Sequence, residues 1–254
     1  MKKKLIIANW KLNGNKSCIF NFLNLLNTYH DQKKDKLCKI VIAFPVIYLY
    51  LAQQFFLKKN IFLGAQNVDF NLQGAFTGEI SVNMLKDMGV SYVILGHSER
   101  RRYHKESDNI IAKKFKIIKE ANLIPILCIG ENKEEKESGK TQEVCIRQLQ
   151  AIISMLGPHI FNNTIIAYEP IWAIGSGDTA QPHLIQKIHR CIKSYLKKYR
   201  MIDPEKILVQ YGGSVDENNV SVLLNERDID GVLVGGASLN YKKFIKIIDI
   251  VNQL

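Results

Sequence analysis

Eight short stretches of the chain are apolar at nearly every position: LIIANWKL from 5, KIVIAFP from 39, IFLGAQNV from 61, YVILGHS from 92, IPILCIGE from 124, TIIAYEP from 164, KILVQYGGS from 206 and GVLVGGA from 231. Continuous rather than alternating hydrophobicity predicts strands covered on both faces, as in a parallel sheet. The intervening segments carry helical period instead. Between Gln181 and Lys198 one stripe holds Leu184, Ile185, Ile188, Cys191, Ile192, Tyr195 and Leu196, with Lys187, Arg190, Lys193 and Lys197 facing away. Val144, Cys145, Leu149, Ile152 and Ile153 make a second stripe, and Phe244, Ile245, Ile248 and Val251 a third. Eight strand–helix units predict an α/β fold, a (β/α)8 barrel rather than an open doubly wound sheet. No linker or repeat interrupts the series, so residues 1–254 are expected to form one domain. The charged run ENKEEKESGK at 131–140 reads as a loop running into a helix.

The chain has 254 residues, 46% hydrophobic and 23% charged, a composition that excludes disordered and fibrous classes and allows a sizeable core. A formal charge of +11 suits an anionic partner. The lysines, however, fall in small groups (2–4, 33–34, 197–198) without interleaved aromatics, which favours a solvated basic surface and no nucleic-acid partner. Cysteines at 18, 38, 128, 145 and 191 form no CxxC pair and are odd in number, so neither a disulfide framework nor a zinc site is expected. Cys128 is expected to pack rather than react. The lysines after Met1 lead into only LIIA, too short for a secretory core, and no apolar run reaches membrane-spanning length. The expectation is a cytoplasmic protein with no membrane partner.

In such a barrel the chemistry lies where strands end. The polar residues fall there: Asn9 and Lys11 after the first run, Gln66 and Asn67 after the third, His97 and Glu99 after the fourth, Glu131 after the fifth and Glu169 after the sixth. Solubilising residues would be spread over both strand ends. Side-chain-free loops follow the last three strands: GSG at 175–177, GGS at 212–214 and GG at 235–236. A lone glycine pair is usually a tight turn, but three in adjacent units can bring backbone N–H groups together on a phosphate. His97 would face the start of a short helix, whose dipole favours the neutral ring. Lys11 would offer a positive charge at the mouth of the first strand.

NWKLNG at 9–14, GHSERR at 96–101, AYEPIWAIGSG at 167–177, YGGSV at 211–215 and DGVLVGGASL at 230–239 resemble the triosephosphate isomerase family in order and spacing, over essentially the whole chain. The resemblance implies a single-domain TIM barrel that interconverts dihydroxyacetone phosphate and D-glyceraldehyde 3-phosphate through an enediolate, in glycolysis and gluconeogenesis, without metal or organic cofactor. It implies Glu169 as the base, His97 as the neutral electrophile, Lys11 as the balancing charge and Asn9 as a further hydrogen-bond donor. Ser98 would be the resting partner of Glu169, and Glu99 would position Lys11. Backbone N–H groups of Gly175, Ser214, Gly235 and Gly236 would hold the phosphate. Pro170, Ile171, Trp172, Ala173, Ile174, Gly175, Ser176 and Gly177 would form a lid that closes over the enediolate.

Two positions depart from the family pattern. Ser176 stands where threonine is common, and Asp178 where lysine often begins the second hinge. The long segment NVDFNLQGAFTGE at 67–79 would be the interdigitating loop of a homodimer, with Phe76 and Thr77 at its tip and Arg100 and Glu106 in the interface network. A Schiff-base aldolase would need a lysine buried on a barrel strand, and the strand interiors offer none. A metal-dependent isomerase would need clustered ligands around His97. A catalytically dead barrel should have lost one of Asn9, Lys11, His97 or Glu169, and all four are present.

Overall fold

Strands β1 (Leu5–Asn9), β2 (Lys39–Phe44), β3 (Ile61–Ala65), β4 (Tyr92–Leu95), β5 (Ile124–Ile129), β6 (Thr164–Tyr168), β7 (Ile207–Tyr211) and β8 (Gly231–Val234) close into a parallel barrel in sequence order. The computed structural model describes residues 4–33, 38–55, 60–174 and 180–254. Closure is made by β8 against β1, with Ile7 in register with Leu233 on one side and with Val41 of β2 on the other. All eight strands lie within the apolar runs. Among the described residues the helices are α1 (Lys16–Lys33), α2 (Leu49–Gln53), α3 (Val82–Asp87), α4 (Ser98–Tyr103), α5 (Asp108–Glu120), α6 (Lys133–Glu137), α7 (Thr141–Leu156), α8 (Pro182–Lys197), α9 (Val220–Asn225) and α10 (Tyr241–Gln253). None of these is long and apolar enough to cross a membrane.

The core has two compartments, because alternate residues of each strand point to opposite faces. Leu5, Ile7, Val41, Ala43, Ile94, Ile126, Cys128, Ile165, Ala167 and Leu233 form one cluster, which fills the barrel. Their neighbours, such as Ile6, Ala8, Ile40, Ile42 and Ile166, pack with the helix layer in a second cluster. The inward parity runs to the strand ends and beyond: after Leu5 and Ile7 comes Asn9, the last residue of β1, after Ile165 and Ala167 comes Glu169, after Ile126 and Cys128 comes Gly130. Mainly apolar side chains therefore plug the barrel below, with buried Gln210 and the glycines Gly64 and Gly231 among them, and polar groups gather at its upper end.

His97 breaks this parity. Tyr92 and Ile94 point inward, so strict alternation would send residue 97 into the helix layer. Gly96 intervenes at φ +66, a left-handed conformation that a Cβ disfavours, and turns the chain so that His97 faces the mouth.

One expectation is corrected. Leu184 was assigned to the buried stripe of α8 but is 47% exposed; the buried set is Ile185, Ile188, His189, Ile192 and Leu196. Ile185 beside it is 1% exposed, so the reason is angular: Leu184 shares the flank of the stripe with Cys191 and Tyr195, which are only half-buried. Residues 131–140, read as a loop running into a helix, enter α6, which is started by a capping box in which Asn132 accepts from the Glu135 N–H while the Glu135 side chain accepts from the Asn132 N–H.

Candidate active site

A cleft of ≈600 Å³ opens at the C-terminal ends of the strands, and Asn9, Lys11, His97, Glu169, Ser214, Gly235 and Gly236 all line it. These residues come from β1, β4, β6, β7 and β8, so only barrel closure brings them together.

Glu169 is 2% exposed and stands at the end of β6. Its Oε2 accepts the backbone N–H of Ser98 at 3.0 Å, and its Oε1 lies 3.3 Å from His97 Nε2. His97 caps α4, its Nδ1 accepting the N–H of Glu99 at 3.3 Å. A neutral imidazole carries one proton, so an accepting Nδ1 puts that proton on Nε2, facing both the carboxylate and the cleft. Glycines make room for this carboxylate. A Cβ on Gly130 would lie 1.9 Å from the Glu169 carbonyl oxygen, and one on Gly212 would lie 2.9 Å from Glu169 Cγ. Below, burial and then the Glu169 charge push the Cys128 thiol well above its ordinary 9.0, so it remains an inert packing group.

Lys11 has the left-handed φ of 51, uncommon for a residue with a side chain. Three contacts hold it there. Its N–H donates to Asn9 Oδ1 at 3.0 Å, its carbonyl accepts from Gln66 Nε2 at 2.9 Å, and its ammonium donates to Glu99 Oε1 at 2.7 Å. Such strain costs about 1–3 kcal/mol and persists only where the surroundings overdetermine it. Trp10 supplies the anchor, buried at 1% exposure and edge-on to Phe22 and Phe44.

After Glu169 the chain turns through a short 3-10 segment, Ile171–Ala173. Its underside is organised by Glu131, which accepts from Trp172 Nε1 at 2.8 Å and from the Tyr168 hydroxyl at 3.1 Å. Burial raises the Glu131 carboxyl above its ordinary value, and these donors offset part of the rise. The Ser214 hydroxyl donates to the Ala173 carbonyl at 2.8 Å, tying this segment to the loop after β7. Pro170 to Ile174 are thus described, while Gly175, Ser176, Gly177 and Asp178 lie outside the described residues. A Cβ on Gly236 would meet nothing within 4 Å, so what this glycine leaves free is open cleft.

At the tip of the 67–79 segment Phe76 is 47% exposed and Thr77 is exposed. At its base, Glu106 Oε1 accepts from Arg100 Nε at 2.7 Å and from Lys114 Nζ at 2.6 Å, and Lys114 also donates to Asn67 Oδ1 at 2.8 Å. Lys114 escaped the sequence reading. It lies on an amphipathic helix in a lysine-rich chain, where nothing marks it as 4% exposed. Gly130 could have been found, since inward parity from Ile126 and Cys128 reaches it. Among the described residues no three His, Cys, Asp or Glu side chains are grouped so as to hold a metal ion.

A carboxylate, an imidazole and an ammonium over a glycine-lined cleft, at the C-terminal mouth of an eightfold parallel barrel, define a (β/α)8-barrel isomerase. The family model described as triosephosphate isomerase matches residues 4–251. Relatives named triosephosphate isomerase are 54% identical in Buchnera aphidicola subsp. Cinara cedri (99% of this chain, 100% of the relative), 52% in Blochmanniella floridana (100% and 98%) and 49% in Histophilus somni (97% and 96%). The chain belongs to the triosephosphate isomerase family, and its function is the glycolytic interconversion of dihydroxyacetone phosphate and D-glyceraldehyde 3-phosphate.

Proposed function

We propose that Glu169 is the base of this isomerisation. It takes a proton from C1 of dihydroxyacetone phosphate and returns it to C2, while the Nε2 proton of His97 goes to the C2 carbonyl oxygen and the C1 hydroxyl proton passes back through the ring. Charge builds on oxygen in between, and the Lys11 ammonium balances it, with Asn9 donating a further hydrogen bond. The observation that carries this reading is the 3.3 Å approach of His97 Nε2 to Glu169 Oε1 with Nδ1 already occupied by a backbone N–H. A coupled assay on Glu169→Gln and His97→Gln tests it: each variant should lose about 100- to 10,000-fold in kcat with an unchanged melting temperature. Wild-type turnover by either variant removes it from the role.

The phosphate would lie against backbone N–H groups of Ser214, Gly235 and Gly236, joined by Gly175 from the lid, residues 170–177. The lid keeps water from the enediolate, which otherwise expels its phosphate. The homodimer is proposed on a second groove of ≈760 Å³, beside the cleft and lined by Leu12, Val46, Arg100 and Tyr103. Leu12 is 97% exposed there and Tyr103 67%, more apolar surface than a lone subunit gains by leaving open. The Phe76–Thr77 tip of a second copy would fill it, with Arg100 and Glu106 bordering the contact. A fully active monomer by sedimentation excludes that assembly. Glycolytic chemistry and five free cysteines fit a reducing cytoplasm.

A further inference from the structure

Gln148 lies on α7 at 6% exposure, and its amide bonds twice to a single residue. Its Oε1 accepts the N–H of Gly130 at 2.9 Å, and its Nε2 donates to the Gly130 carbonyl at 3.3 Å. In a parallel sheet the N–H and C=O of one residue point to one neighbouring strand, and those of the next residue point to the other. Either side of Gly130 the backbone bonds toward β6 and the turn after it: the Ile129 carbonyl accepts the Glu169 N–H at 2.7 Å, and the Glu131 carbonyl accepts the Ile171 N–H at 3.1 Å. The Gly130 groups therefore face β4, which has already ended at Leu95 and turned away at Gly96. The Gln148 amide stands in for the missing strand.

What Gly130 supports is the backbone of Glu169. A Cβ on Gly130 would lie 1.9 Å from the Glu169 carbonyl oxygen and 2.6 Å from its carbon, so the two backbones touch with no side chain between them. A shift of Gly130 passes directly to Glu169. The carboxylate has a narrow seat, with Oε2 on the Ser98 N–H at 3.0 Å and Oε1 3.3 Å from His97 Nε2, both on the chain that follows β4. Gln148 thus braces β5 where β4 leaves it, beside the one carboxylate that must meet groups from both sides of the gap.

We propose that Gln148 is a positioning residue of this enzyme, which clamps Gly130 and through it holds Glu169 at the spacing that proton transfer needs. This rests on the reading of Glu169 as the base. Gln148 does not line the cleft, so it reaches the reaction only through Gly130. Losing the clamp should slow the chemical step and leave phosphate binding alone. A displacement of about 1 Å at a reacting group costs up to about 100-fold in rate.

Gln148→Met tests it, because methionine keeps the length of the side chain and removes both hydrogen bonds; Gln148→Asn keeps the amide on a chain one methylene shorter. Both are assayed well below their melting temperatures, with turnover expressed per folded molecule from circular dichroism. In Gln148→Met, kcat should fall roughly ten- to 100-fold, KM should not rise, and inhibition by inorganic phosphate should stay within about two-fold of wild type. Gln148→Asn should change in the same direction by a smaller factor. A kcat per folded molecule equal to wild type in Gln148→Met overturns the proposal, as does a loss of phosphate affinity as large as the loss of kcat. If Gln148→Met does not fold, Gln148→Asn decides on the same criteria. Glu169→Gln separates the two layers. If it loses turnover while the Gln148 variants keep theirs, the base stands and the clamp fails; if it turns over as wild type does, both fail.

Discussion

Lys11 Nζ donates to Glu99 Oε1 at 2.7 Å, and that bond ties the mouth of β1 to the first turn of α4. The two side chains are 28% and 43% exposed, so the pair adds little to stability, below about 1 kcal/mol. Its value is orientation: it aims a flexible ammonium at the cleft. Glu99→Gln should leave the melting temperature unchanged while lowering kcat/KM roughly ten-fold, about 1.4 kcal/mol of misplaced charge. Lys11→Met should cost roughly 100-fold or more. Equal kcat/KM for Glu99→Gln and wild type would refute the orienting role.

His189 supplies a pH dependence of stability. It is fully buried, and burial pushes its imidazole down to about 3 from 6.5. Between those values the unfolded chain binds a proton that the folded one refuses. Stability should therefore be complete above pH 6.5 and fall on acidification toward pH 3, by up to about 1.4 kcal/mol per unit. Urea midpoints measured between pH 7 and pH 4 check this, and His189→Asn should flatten the slope.

Glu106 gives the acidic counterpart. Burial alone would raise its carboxyl, but the hydrogen bonds and charges of Lys114 and Arg100 together outweigh it and hold the group below 4.5. Its contribution is present above 4.5 and is lost as the pH drops through the lowered value. Glu106→Gln strands the Lys114 ammonium in the interior and should cost about 3–5 kcal/mol, read from urea unfolding. Glu106→Gln with Lys114→Met should cost less than the sum of the single changes.

Two glycines should separate packing from binding. Gly130→Ala would drive a Cβ to 1.9 Å from a backbone oxygen that cannot yield, so the melting temperature should drop by several degrees. Gly236→Ala meets nothing within 4 Å, so it should leave the melting temperature alone and raise KM through lost cleft space. Equal thermal effects in the two variants would contradict the assignment of these positions.

All eight strands were legible because burial on both faces leaves an unbroken apolar run, a signal needing no knowledge of neighbours. Asn9, Lys11, His97 and Glu169 were legible as chemistry placed where such runs end, and the motifs around them carried the family. Leu184 was misassigned because a helical stripe gives the direction of the core but not how wide the covered face is: Ile185 is buried, while Leu184, Cys191 and Tyr195 lie on its flank. Lys114 and His189 were missed for a related reason: a lysine among lysines and a histidine on a mixed helix look the same exposed or buried.

Local patterning thus decided the order of elements, the parity that sends Asn9, Gly130 and Glu169 inward, and the residue types at the mouth. Contacts across the barrel decided the rest. Closure of β8 on β1 sets Lys11 beside Glu99, the left-handed turn at Gly96 carries His97 to Glu169, and the approach of α6 to the Ile171–Ala173 turn places Lys136 over Trp172. Those pairs are separated by tens of residues, and a charge or a ring acts on whatever lies within a few ångströms, a distance that chain order does not encode.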